Sequence, residues 1–146
     1  MQMHLLRTFP ILLAFLPPLP VAAQANISEV MQQSGVKLSA EELKALLPGS
    51  AVSGFNNAGG QFSMSLNPDG SMSGNTSVLD ARRGAPAGLS GTWRVSDEGK
   101  YCYESTNLKT KETDKRCVSV FRAGDAYFMS GGDAPNSPVV RRVIRK

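Results

Sequence analysis

The sequence predicts a mainly β fold: about eight short antiparallel strands in a meander, closing into a small barrel or a strongly curved sheet, with one N-terminal helix. Three observations carry this expectation. From Ala51 onward, short segments of alternating polarity are separated by turn-forming Gly, Asn, Asp and Pro. The hairpin turning at Asn67–Gly70 sets a register that pairs apolar with apolar or small residues. The clearest helical signal falls before Pro48-Gly49, ahead of all the strands. With 41% hydrophobic and 19% charged residues, the chain has the composition of a folded domain rather than a disordered one.

The first 25 residues read as a secretory signal peptide. Arg7 supplies the positive charge. Thr8–Val21 carries none and contains Ile11, Leu12, Leu13, Phe15 and Leu16. Val21-Ala22-Ala23 and Ala23-Gln24-Ala25 are small-residue cleavage patterns, so cleavage is expected after Ala23 or Ala25. The apolar stretch is broken by Pro17, Pro18 and Pro20 and falls short of the roughly 20 residues a spanning helix needs. No transmembrane segment is expected, and the mature chain is placed in the periplasm or outside the cell. The division is then a signal over 1–25, a helical segment over 26–50 and a β domain over 51–146.

Within 26–50, Ser39 and Glu42 have capping-box spacing, and Leu38 and Leu43 have the spacing of a hydrophobic staple. Leu43, Leu46 and Leu47 form one apolar stripe, which suits a helix plugging or flanking the sheet. Asn26–Gly35 offers a second, short helix. Strands are then expected at Ala51–Asn56, Gln61–Leu66, Ser71–Val78, Ser90–Ser96, Gly99–Asn107, Lys115–Arg122, Asp125–Ser130 and Ser137–Ile144. Asn67-Pro68-Asp69-Gly70 is a tight turn with Pro fixing φ and Gly taking the left-handed position. A Gly bulge there sets Leu66 opposite Met72 and Met64 opposite Gly74. The longest connection is Leu79–Leu89.

Cys102 and Cys117 are the two cysteines of an exported chain, where an even count is read as a disulfide. An antiparallel hairpin that sets them opposite each other also sets Tyr101 opposite Val118 and Tyr103 opposite Arg116, with its turn at Lys109-Thr110. A redox-active pair would need closer spacing or a helix terminus beside the thiol. Closing a loop of about 15 residues is worth roughly 3 kcal/mol in the chain-entropy model.

The ordered set Leu46-Leu47-Pro48-Gly49, Phe62 to Gly74, Gly91-Thr92-Trp93-Arg94-Val95, Tyr101-Cys102, Arg116-Cys117 and Phe121 to Asp125 resembles a family of small exported proteobacterial proteins of unknown function. The resemblance implies an exported β-rich domain with paired cysteines. It brings no reaction, substrate or catalytic residue with it.

The lone His4 leaves with the signal, so the mature chain lacks imidazole, the commonest general base near neutral pH. No free thiol or telling carboxylate pair replaces it, no metal site or cofactor is implied, and catalysis is not expected. A binding module is expected instead, taking a small apolar ligand or a protein partner. The alternative is an inhibitor of a hydrolase such as lysozyme or a protease. The candidate binding residues are Trp93, Tyr101 and Tyr103, which can line a cavity with polar tips, and the Arg82-Arg83 pair in the long connection. For each, the plain structural reading stands beside the functional one: a packed core Trp and Tyr, and a solvated Arg pair. Arg141, Arg142, Arg145 and Lys146 match the whole net charge of +4. They read as solvated strand-edge charge, with weak contact to anionic surfaces as a second role. Without aromatic interleaving they give no nucleic-acid signature.

Overall fold

In the computed structural model, residues 26–56, 59–77 and 86–146 are described. The signal segment and Arg82-Arg83 lie outside these residues. Two short helices, α1 (Ile27–Gln32) and α2 (Ala40–Leu46), precede or interleave with nine strands. These are β1 (Val36–Lys37), β2 (Ala51–Phe55), β3 (Gln61–Leu66), β4 (Ser71–Thr76), β5 (Ala87–Val95), β6 (Tyr101–Asn107), β7 (Thr113–Ala123), β8 (Ala126–Ser130) and β9 (Val140–Arg145). Strands β2 to β9 form an antiparallel barrel, closed by pairing of β9 with β2 and of β7 with β8. The sequence left barrel and open sheet as alternatives; the ring of pairings decides for the barrel. Among the described residues, no helix is long and apolar enough to cross a membrane.

Both hairpin registers follow the sequence expectation: Leu66 faces Met72 and Met64 faces Gly74, while Tyr101 faces Val118, Cys102 faces Cys117 and Tyr103 faces Arg116. Gly70 takes φ 86°, as its turn requires, and the Asn67 N–H donates to the Ser71 carbonyl at 2.9 Å. Several boundaries differ. β5 begins at Ala87, not Ser90, because Ala87, Gly88 and Leu89 pair with Thr76, Asn75 and Gly74. The connection expected at Leu79–Leu89 therefore gives its last three residues to the barrel wall. β4 stops at Thr76 and β9 starts only at Val140, after Asp133 has fixed the preceding loop to Lys37, Lys100 and Ser119. β1 was not expected. It extends the edge of β7 beyond the end of β6, with Val36 opposite Arg122, so segment 26–50 is partly sheet.

Pleat alternation sorts each strand into two faces. Inward lie Val52, Met64, Leu66, Met72, Trp93, Tyr101, Val118, Val120 and Met129, all buried in one core. Outward lie Ser53, Ser63, Ser65, Ser73, Asn75, Thr92, Arg94 and Glu104. That is the reverse of a membrane-spanning barrel, whose outer face is apolar. The second half of β7 and β8 bury residues on both faces because a second, outer core sits there: Phe121 and Phe128 pack with Ile27 and Val30 of α1 and with Val139.

α2 plugs one end of the barrel. Leu43 and Leu47 are fully buried and join Leu38, Leu66, Trp93 and Tyr101 in the inner core. The helix begins with the expected capping box: the Glu42 N–H donates to Ser39 Oγ at 3.2 Å, and the Ser39 N–H donates to Glu42 Oε2 at 2.8 Å. At the far end Lys146 Nζ donates to the Ala45 carbonyl at 2.7 Å. Ser39→Ala is expected to lower stability by about 0.5–2 kcal/mol, the range for losing such a cap. Urea unfolding with an unchanged m-value checks it.

Candidate functional site

At the end of the barrel opposite α2 the interior is hollow. A cavity of about 530 Å³ reaches down to Val52, Met64, Met72, Tyr101, Val118 and Met129. Leu89 and Phe62 complete its apolar wall, and Tyr103, Asp114, Arg116 and Arg142 stand at its mouth. This volume lies within the roughly 300–1,000 Å³ usual for small-molecule sites.

The pairing pattern explains the opening. Residues Thr113–Val118 of β7 pair with β6 on one side, while β8 pairs only with the second half of β7, from Ser119 onward. Likewise β9 meets β2 only through Ala51–Ser53, so Gly54 and Phe55 have no β9 partner. The wall is thus incomplete between the upper parts of β7 and β2. Asp114 and Arg116 face the cavity from one side of this gap, and Arg142 from the other.

The mouth is polar and unevenly paired. Arg116 Nε donates to Asp114 Oδ1 at 2.8 Å, and the Tyr103 hydroxyl donates to Asp114 Oδ2 at 3.2 Å. Burial, then the Asp114 charge, pushes the Tyr103 hydroxyl up to about 12, so it remains a protonated donor. Among the described residues, Arg142 has no such carboxylate. Its Nη1 donates to the Arg141 carbonyl at 3.1 Å, and its guanidinium lies 5.0 Å from the Phe62 ring centroid. Burial, joined by the like charge of Arg116, pulls the Arg142 guanidinium below its usual value, while Tyr103 acts in the opposite sense. Deeper in, Tyr101 is 3% exposed, and burial raises its hydroxyl well above the ordinary tyrosine range.

Two of the sequence candidates meet here: Tyr101 and Tyr103 line the cavity with ring centroids 5.4 Å apart. Trp93 does not line it. It packs below, 6.4 Å from Tyr101, and its indole N–H donates to the Asn67 carbonyl at 3.0 Å, which ties the β3–β4 turn to β5. Cys102 and Cys117 are bonded across the outer face of β6 and β7, with Cα atoms 3.9 Å apart. Arg82 and Arg83 fall outside the described residues.

The C-terminal cations correct the sequence expectation. β9 lies between β2 and β8 and is not an edge strand. Arg142 turns into the cavity mouth and Lys146 is held by α2, so the four charges do not form one solvated basic face. Among the described residues, no group of His, Cys, Asp or Glu is arranged to hold a metal ion. Compared with protein-family models, curated proteins and solved structures, the chain matches none, so no relative lends this site a substrate or a reaction.

Proposed function

We infer that the protein is an exported binding barrel that holds a small, largely apolar ligand inside the cavity. The carrying observation is a hollow of about 530 Å³ walled by Val52, Phe62, Met64, Met72, Leu89 and Met129, plugged below and open above. A barrel of this size has room for side chains to fill its interior, or for one small ligand where they do not. Export rests on the signal pattern of 1–25, and the disulfide is in keeping with an oxidising compartment. An inhibitor that recognised its target through loops would have no use for such a hollow, which favours the ligand reading over that one.

A neutral fluorescent probe, N-phenyl-1-naphthylamine, tests this. The mature chain is expected to bind it with enhanced emission. Leu89→Trp and Met129→Trp, which each fill the cavity from a different strand, are expected to weaken it by at least about tenfold, a change of roughly 1.4 kcal/mol. The thermal midpoint of each variant reports whether it is folded. A folded wild-type chain that leaves the probe dark refutes the reading.

A further inference from the structure

We propose that the ligand is an amphiphile with a single anionic head, held by Arg142 at the mouth with its tail among Met64, Met72 and Met129. This rests on the cavity being a binding site and adds the chemistry of what it takes.

Charge is the first argument. Asp114 is committed to Arg116 and accepts from Tyr103, so among the described residues the mouth carries one cation in excess. Among the described residues, no carboxylate lies within ion-pair distance of Arg142. A half-buried cation without a counter-ion is unfavourable, and a ring face and one carbonyl offset only part of that. A carboxylate or phosphate seated between Arg142 and Arg116 would relieve their mutual repulsion. It would also gain charge-assisted hydrogen bonds in a partly dry setting. A cationic ligand would worsen the imbalance, and a neutral one would leave it standing.

Shape and chemistry below the mouth give the second argument. The cavity passes from charged groups at the mouth to Met64, Met72 and Met129, whose flexible, unbranched thioethers can follow the outline of an alkyl chain. Tyr101 faces the same space with a hydroxyl that makes no hydrogen bond to the described residues.

The experiment is competition against bound N-phenyl-1-naphthylamine on the mature chain, with dodecanoate, dodecyl phosphate and dodecan-1-ol as competitors. At least one anion is expected to displace the probe at roughly tenfold lower concentration than the alcohol, as a charge-assisted contact implies. The preferred anion identifies the head as carboxylate or phosphate. Arg142→Gln is expected to bring the anion-to-alcohol ratio near one, Arg142→Lys to keep part of it, and Arg141→Gln, on the outer face, to keep all of it. Equal displacement by alcohol and both anions overturns the proposal, as does an anion preference that survives Arg142→Gln. Both results require bound probe, so they leave the cavity reading intact. Absence of probe binding instead defeats that reading and this one with it.

Discussion

Replacing Cys102 and Cys117 together with Ser is expected to remove about 2–5 kcal/mol of stability, enough to lower the thermal midpoint by roughly 10 °C. The bridge closes a loop of 15 residues and joins β6 to β7 where β7 most needs it. Among the described residues, Thr113–Val118 has β6 as its strand neighbour and none on the β8 side. Without the bridge, the six ladder positions between β6 and this stretch hold it alone. Hydrogen exchange is therefore expected to rise most at Thr113–Val118, and least in β3 and β4, which have partners on both sides. The same stretch carries Asp114 and Arg116, so the double variant should also blunt probe binding at temperatures where it remains folded. Uniform acceleration of exchange, with no excess at Thr113–Val118, would show that the disulfide acts on the unfolded chain alone.

Much of this architecture is written in local sequence. Asn67-Pro68-Asp69-Gly70 specifies its turn by backbone chemistry, and the turn specifies the β3–β4 register. Ser39 and Glu42 set the start of α2 in the same way. The β6–β7 register follows once the two cysteines are placed opposite each other. What sequence leaves open is set by long-range pairing. Closure depends on β9 meeting β2, about 90 residues apart in the chain, and no local signal states it. β1 is two residues long and exists because Leu38 and α2 must reach the barrel floor beside β7; the Leu38 N–H donates to the Val120 carbonyl at 2.8 Å.

The candidate site was half legible. Alternation puts Tyr101 and Tyr103 on the strand face opposite Cys102, and both line the cavity. Composition groups Arg142 with its cationic neighbours, but its parity along β9 separates it from Arg141 and Arg145. Val140, Arg142 and Ile144 share one face of β9, and Asp114, Arg116, Val118 and Val120 share one face of β7. A charge on the apolar face of a strand belongs at a barrel mouth or in a site. Alternation thus held the signal, but only a closed ring makes the two faces meet across one space. Trp93 was a reasonable cavity candidate by type. Its partner at Asn67 lies across the β3–β4 turn, which draws it into the floor instead.

Gly91→Ala is expected to cost more than the roughly 1–3 kcal/mol of ordinary overpacking, although it adds one methyl group. Gly91 sits on the inward face of β5 between Met72 and Ser105. A Cβ there would run into the Glu104 carbonyl oxygen and come within 2.9 Å of the Ser105 Cα, both of them backbone atoms. No side-chain rotation relieves that contact, so β5 and β6 must part. Gly74, diagonally placed on the neighbouring β4, is crowded in the same way by the Ser63 carbonyl. Together the two glycines allow the sheet to bend sharply enough to close, the role glycine takes at barrel corners. Gly88→Ala on the same strand supplies the control. Its Cβ would meet only the Leu108 side chain, at 3.1 Å, and Leu108 is exposed and free to move. That variant is expected to stay within about 1 kcal/mol of the wild type, since strand propensities span no more than that. Chemical denaturation of the pair decides the matter. Equal losses at the two positions would mean that general strand propensity, rather than the close approach of β5 to β6, governs the bend.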